Sequence, residues 1–385
     1  MGRPGLSRSA QQRMRRTARA PRLEGMVGAH GRSGQSASGF AGTVRAAVTG
    51  RAVLLVLGVL ALQLGFIASY IGALHQPGAD RVPIALVAPE QVRDEYRRQL
   101  DGLSGSPLEV ARETAEESDA VRQIEQRAID GALVVDPNGT TDRLLVAGGA
   151  GAALAQALEE VLRSVEREQG RTLEVEDIVP ADPGDRRGLS SFYLVVGWCV
   201  GGYLCAAILA MSYGARPADL GRAVIRLAVL ACYSLVAGLG GAVLAGPVLG
   251  ALPGSVLGLS ALGALVVFAV GAATLALQGL AGVVGIGLAI LLVVVLGNPS
   301  AGGAYPGPLL PPFWRGIGPA LPPGAGTWSA RSLAYFDAAA LTGPLLVLAV
   351  WAVLGTALTV VAAVLRSRDA SPAAPHAGRT SPAPG

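Results

Sequence analysis

Apolar and polar positions divide this chain into long apolar runs and one region of alternating pattern. A helix rising about 1.5 Å per residue needs about 20 apolar residues to cross a hydrocarbon core of about 30 Å. Six runs qualify: residues 53–74, 191–212, 227–249, 257–278, 280–296 and 344–365. The fourth and fifth are separated only by Gly279 and its neighbours, and the fifth is the shortest.

Residues 76–188 read differently. Short apolar runs at 83–88 (PIALVA), 107–113, 132–136, 143–147 and 172–179 have the length and β-branched content of strands. Between them lie helical periodicities. Val92, Tyr96 and Leu100 share one face, as do Ala120, Val121, Ile124, Ala128 and Ile129. Leu154, Leu158, Val161, Leu162 and Val165 form a third stripe, with Glu159, Glu160, Glu166 and Glu168 read as its solvated side. Strands alternating with helices predict a small α/β layer with a largely parallel sheet. The expected fold is therefore an α-helical integral membrane protein with six transmembrane helices and an α/β domain between the first and second.

Charge fixes an orientation for this layout. Residues 1–51 carry ten Arg against Glu24, a net charge of +9, whereas residues 75–188 carry 13 Arg against 23 Asp or Glu, a net charge of −10. By the positive-inside rule the N-terminus stays in the cytoplasm and the α/β domain lies outside. Six spans then return the C-terminus to the cytoplasm. The loop after the second span (Arg216, Arg222, Arg226 against Asp219) and the tail from residue 366 (Arg366, Arg368, Arg379 against Asp369) are both net positive, which agrees. Residues 1–45 and 366–385 are expected to be disordered, and Met14 or Met26 is an alternative start. A cleaved signal does not fit, because the first apolar run begins after 52 residues and is longer than a signal core, so an uncleaved anchor in the cytoplasmic membrane is expected.

All 31 basic residues are Arg, and only 15% of the chain is charged. Without Lys there is no Walker A loop, no pyridoxal Schiff base and no kinase nucleotide clamp, so this chain hydrolyses no ATP by the P-loop route. Residues 227–314 contain no Asp, Glu or Arg at all. An ionisable side chain at the bilayer centre costs about 2.5–3.5 kcal/mol and is kept where coupling needs it, so an ion-driven carrier is not expected here. Cys199, Cys205 and Cys232 all fall within predicted spans and His30, His75 and His376 are scattered, so neither a disulfide framework nor a metal site is expected. The α/β region has no Cys and no Ser/His/Asp arrangement, and its glycine run (Gly148, Gly149, Gly151) lacks the GxGxxG spacing and reads as a flexible turn. No enzyme activity, cofactor or nucleic-acid partner is expected.

Between the last two spans, residues 297–337 hold eight Pro and eight Gly, yet also Tyr305, Phe313, Trp314, Trp328, Tyr335 and Phe336. So aromatic a loop is either an ordered cap on the span ends or an interfacial segment. Trp314, Arg315, Trp328, Arg331 and Tyr335 are the candidates to meet membrane lipid or substrate, with rings at headgroup level and guanidinium on phosphate. Gly197 and Gly201, four apart, are candidates for close helix or protomer packing.

Three elements carry a resemblance: PIALVAP directly after the first span, DGALVVDPN at residues 130–138, and GNPSAGG followed by LLPPFWRGIGPALPPGA and RSLAYF before the last span. Over about residues 46–366 the chain resembles the permease subunits of type 2 ABC exporters and the related phage infection protein group. The resemblance implies a homodimer or heterodimer of permease halves and an ATP-binding cassette subunit docked in trans on a cytoplasmic loop. Carried onto this chain, that loop is residues 213–226, with Arg216, Asp219, Arg222 and Arg226 on one helical face; plain positive-inside charge accounts for the same Arg. The expected function is export of a hydrophobic or amphipathic substrate. The alternative is a non-transporting scaffold or receptor whose outer domain binds a protein.

Overall fold

The computed structural model describes residues 49–213 and 219–369. The Arg-rich arm (1–45), the tail beyond residue 369 and Arg216 lie outside the described residues. The chain divides into two units at Val56/Leu57. The described part of the first is the opening of one helix; the α/β layer, the cap and the helix bundle belong to the second.

Helix α1 (Gly50–Leu74) leads into β1 (Val82–Val87), α2 (Glu90–Asp101), β2 (Leu108–Thr114), α3 (Glu117–Glu125), β3 (Gly131–Val134), β4 (Thr141–Val146), α4 (Ala152–Glu168) and β5 (Thr172–Asp177). The strands form one sheet in the order β2-β1-β3-β4-β5. Only the β3–β4 pairing is antiparallel; β1–β2, β1–β3 and β4–β5 are parallel. The largely parallel sheet predicted from the alternation is thus present. β1 is buried on both faces. Ile84 and Leu86 pack with Tyr96 and Leu100 of α2 and with Leu154, Leu158 and Leu162 of α4. Ala85 and Val87 turn the other way, onto Ala120 and Ile124 of α3. That is the period-2 geometry of a strand covered by helices on both sides.

Glu166 corrects the sequence reading of α4. Its charge predicts the solvated side, but the side chain is fully buried. It follows Leu162 by four residues and so falls on the apolar stripe itself.

Helices α5 (Ser190–Tyr213), α6 (Leu220–Val243), α7 (Val256–Ala281), α8 (Val284–Ile290) and α11 (Thr342–Asp369) make the bundle, with α7 at its centre against α5, α6 and α11. α5 and α7 touch almost backbone to backbone: a Cβ on Gly202 would stand 2.6 Å from the Val267 carbonyl oxygen. Five helices are long and apolar enough to cross a membrane: Ala52–Leu74, Ser190–Ser212, Leu220–Val248, Val256–Ala281 and Thr342–Ser367. Leu235, Val236, Leu346 and Val353 are among many large apolar side chains exposed on them. Such surfaces are stable against lipid and not against water. The chain is a multi-pass helical membrane protein.

The hydropathy predicts a sixth crossing at 280–296. The structure places there the shorter apolar helix Val284–Ser300, which continues α8 through a π-helical stretch at Leu291–Gly297. It rises about 25 Å, less than the hydrocarbon core of about 30 Å. α7 ends at Gly282, whose φ of +64° a residue with a side chain rarely adopts, and not at Gly279.

The proline-rich segment is an ordered cap containing α9 (Pro312–Ile317) and α10 (Pro322–Tyr335). α10 opens with two prolines, whose fixed φ suits a first turn and whose missing N–H groups need no partners there. Most of α10 is buried, and two of its hydroxyls are satisfied within the helix: Thr327 donates to the Pro323 carbonyl and Ser329 to the Ala325 carbonyl, each at 2.8 Å. The cap grips the sheet from both sides. Leu309 joins the cluster under α2 and α4, and Phe336 joins the cluster under α3.

Candidate functional site

A cavity of about 760 Å³ opens where the α/β layer, the cap and the start of α11 meet. Its lining includes Arg127, Asp130, Arg315, Trp328 and Arg331, with apolar walls from Ile129, Leu154 and Val347. Of the outer-loop residues expected from the sequence, Arg315, Trp328 and Arg331 line this cavity. Trp314 packs edge-on against Phe313 with centroids 5.0 Å apart, and Tyr335 donates to Asp185 Oδ2 at 3.1 Å.

Arg331 is 4% exposed and ties its helix to two separate segments, at Gly302–Gly303 and at Gly188. Its Nη1 donates to the Gly302 carbonyl at 2.7 Å, and its Nη2 to Gly303 at 2.9 Å and Gly188 at 3.1 Å. Its Nε has no hydrogen-bond acceptor among the described residues. Burial lowers its pKa to about 10, with the nearby Asp185 charge opposing the shift, so it remains a cation at neutral pH.

Arg127 is held from the opposite side. It stands just past the end of α3 with φ +57°, which turns its side chain toward the cap. Nη1 donates to the Trp328 carbonyl at 2.9 Å and to Ser332 Oγ at 2.7 Å. Its guanidinium carbon lies 3.5 Å from the Trp328 ring centroid and 4.9 Å from that of Phe336. Burial, reinforced by the like charge of Arg331, lowers its pKa to about 9. Asp130, also partly buried, is pushed up to about 6 by burial, and Arg127 restrains the rise.

Arg315 is a paired cation. It reaches Asp80 through Nη2 to Oδ2 at 2.7 Å and through Nη1 to the backbone carbonyl at 2.8 Å. Among the described residues, neither Arg127 nor Arg331 makes an ion pair with a carboxylate. The cavity therefore concentrates positive charge between apolar walls. No local pattern marks Arg127, because its partners lie about 200 residues away. Asp130 opens the DGALVVDPN element, but nothing in that element indicated a cavity wall.

The glycine run is a close-packed turn. Gly151 has φ +136°, and a Cβ there would stand 2.8 Å from Pro306 of the cap; one on Gly149 would meet the Tyr335 side chain at 2.8 Å. The turn is thus adapted to the cap.

In the loop expected to dock a partner, Asp219 caps α6 by accepting from the Arg222 backbone N–H at 2.9 Å. Arg222 Nε lies 3.5 Å from Asp219 Oδ2, and both side chains are exposed. Arg226 is only 3% exposed, so in this chain it does not share their open face. Gly197 has open space where a Cβ would stand, whereas Gly201 faces the Tyr233 hydroxyl at 2.9 Å.

A second polar cluster lies at the other end of β4. Asp142 accepts two bonds from Arg171, each 2.6 Å, and one from the Asp136 backbone N–H at 2.8 Å. Burial alone would raise the Asp142 pKa, but the Arg171 and Asp136 donors outweigh it and hold it below the usual range. Glu166, 3.6 Å from Arg171, is pushed well above the usual range by burial and by the adjacent Asp142 charge. Arg171 also donates to the carbonyls of Asp136 and Gly139, so this cluster closes the β3–β4 turn onto β5. Among the described residues no three His, Cys, Asp or Glu stand together as a metal-holding group.

No protein-family model, no curated protein and no solved structure matches this chain.

Proposed function

We propose that this chain is the permease subunit of an ABC-type exporter, moving a hydrophobic or amphipathic substrate across the cytoplasmic membrane with energy from a separate ATP-binding cassette subunit. The observation that carries this reading is the absence of Asp, Glu and Arg from residues 227–314 in a chain that also has no Lys. Neither a coupling ion nor a P-loop nucleotide has a partner there, so the energy source sits on another polypeptide.

In this reading the arm and the loop at 213–226 face the cytoplasm, and the acidic α/β layer stands outside. The exposed pair Asp219 and Arg222, with Arg216 beside them in sequence, is the docking surface for the ATPase. The short helix Val284–Ser300 serves as a sixth crossing through local thinning of the bilayer, which returns the C-terminus to the cytoplasm. Two permease halves, identical or not, form the pathway.

Gentle purification of the tagged protein tests this. The expected result is a co-eluting ATPase whose turnover changes when the chain is present and whose retention falls in an Asp219→Arg, Arg222→Glu double variant. Repeated isolation without an ATP-binding subunit overturns the reading.

A further inference from the structure

We infer that the cavity between the α/β layer, the cap and the start of α11 binds the anionic headgroup of an amphiphile, with the headgroup at Arg127 and Arg331 and the hydrocarbon along the apolar walls. This names the substrate class for the proposed permease and rests on that reading.

Three independent features converge. The first is charge. Arg127 and Arg331 lie close enough to act on one another and, among the described residues, bond only to neutral acceptors, whereas the third cation, Arg315, is paired with Asp80. Arg331 Nε has no acceptor among the described residues, and a buried guanidinium donor without one is costly. A phosphate or carboxylate in the cavity would offset the repulsion between the two guanidinium groups.

The second feature is the apolar wall. Ile129, Leu154, Pro306, Pro344 and Val347 give no hydrogen bonds to a small hydrophilic anion but suit a hydrocarbon chain. The third is location. Thr342, Gly343, Pro344 and Val347 belong to the first turns of the last apolar helix and line the cavity. The cavity thus sits where a membrane surface meets the protein, at the level of lipid headgroups. Its volume of about 760 Å³ matches pockets that enclose a molecule of lipid-headgroup size together with part of a chain.

The test uses the full-length protein in dodecyl maltoside. It is titrated with dodecyl phosphate, with inorganic phosphate and with dodecyltrimethylammonium, and tryptophan fluorescence reports binding because Trp328 lines the site. Saturable binding of dodecyl phosphate alone is expected. Arg127→Gln should weaken it roughly tenfold, the loss of one charge-assisted contact. Asp130→Asn, which removes the cavity's own negative charge without touching the stacking of Arg127, should tighten it; this variant keeps the test informative if Arg127→Gln does not fold. Equal affinity for inorganic phosphate, equal affinity for the cationic amphiphile, or indifference to Asp130→Asn overturns the inference. No arm contains an ATPase, so failure here leaves the partner-driven permease standing, and absence of a co-eluting ATPase leaves the binding result standing.

Discussion

Arg127 stacks on Trp328 at 3.5 Å and donates to that residue's own backbone carbonyl at 2.9 Å, so one side chain joins the α/β layer to the cap by two different interactions. Trp328 is itself fixed, its Nε1 donating to the Ala340 carbonyl at 3.2 Å. Trp328→Ala removes the ring face and that bond together and should lower the stability of the cap by about 2–4 kcal/mol. Trp328→Phe keeps a ring face and should recover more than half of the loss. Thermal unfolding of the detergent-solubilised protein, followed by near-UV circular dichroism, measures both.

Asp130 should make the fold less stable as pH rises. Burial pushes its pKa up to about 6, above the unfolded value. Between about 4 and 6 the folded chain therefore holds a proton that the unfolded chain has released, and stability declines as pH climbs through that window. Asp130→Asn should add on the order of 1–2 kcal/mol at pH 7 and almost nothing at pH 4. Dodecyl sulfate, whose headgroup keeps one negative charge at both pH values, should bind beside Arg127 and Arg331 more tightly below about pH 6, where Asp130 is neutral. Denaturation midpoints and titrations at the two pH values check both statements; a stability gain of equal size at pH 4 would contradict the assignment.

The two buried acids at the far end of β4 should respond oppositely to neutralisation. Asp142 is ionised and takes both bonds from Arg171, so Asp142→Asn leaves a largely buried guanidinium without its charge partner and should cost about 3–5 kcal/mol. Glu166 is held protonated at neutral pH by burial and by Asp142, so Glu166→Gln replaces one neutral group with another and should change stability little. Urea unfolding of the two variants side by side distinguishes them.

Local pattern made the α/β layer legible. The run PIALVA alternates between two covered faces, and β1 begins within one residue of where that run begins. The same kind of pattern misplaced Glu166, because charge was read as exposure at a position whose spacing from Leu162 puts it on the buried stripe. The spacing of Asp219, Arg222 and Arg226 likewise gave a shared direction along the helix but not which side faces neighbouring helices. The cap was readable as ordered from its aromatic residues. The cavity was only half readable: Arg315, Trp328 and Arg331 stand out in a segment whose one other charge is Asp337, whereas Arg127 is one of 13 Arg in its region and is singled out only by contacts distant in sequence. The short helix at Val284–Ser300 shows a further limit, since hydropathy registers an apolar run from residue 280 but not the backbone turn at Gly282 that delays the helix start to Val284.

Gly202 and Gly197 separate packing within one chain from packing between chains. A Cβ on Gly202 meets backbone of α7, the Val267 carbonyl oxygen at 2.6 Å and the Gly271 nitrogen at 3.2 Å, and backbone does not move aside as a flexible side chain does. Gly202→Val should force α5 and α7 apart and cost about 1–3 kcal/mol or more. Gly197 is exposed, with nothing within 4 Å of its Cβ position, so Gly197→Val should leave the stability of a single chain unchanged. If two permease halves meet along this part of α5, the same Gly197→Val variant should instead shift the protein toward monomer, as measured by size-exclusion chromatography with light scattering. A Gly197→Val protein with wild-type oligomeric state would place the contact between halves elsewhere on the bundle, whereas loss of stability without a change in oligomer would mean that α5 packs more closely within the chain than its open space at Gly197 indicates.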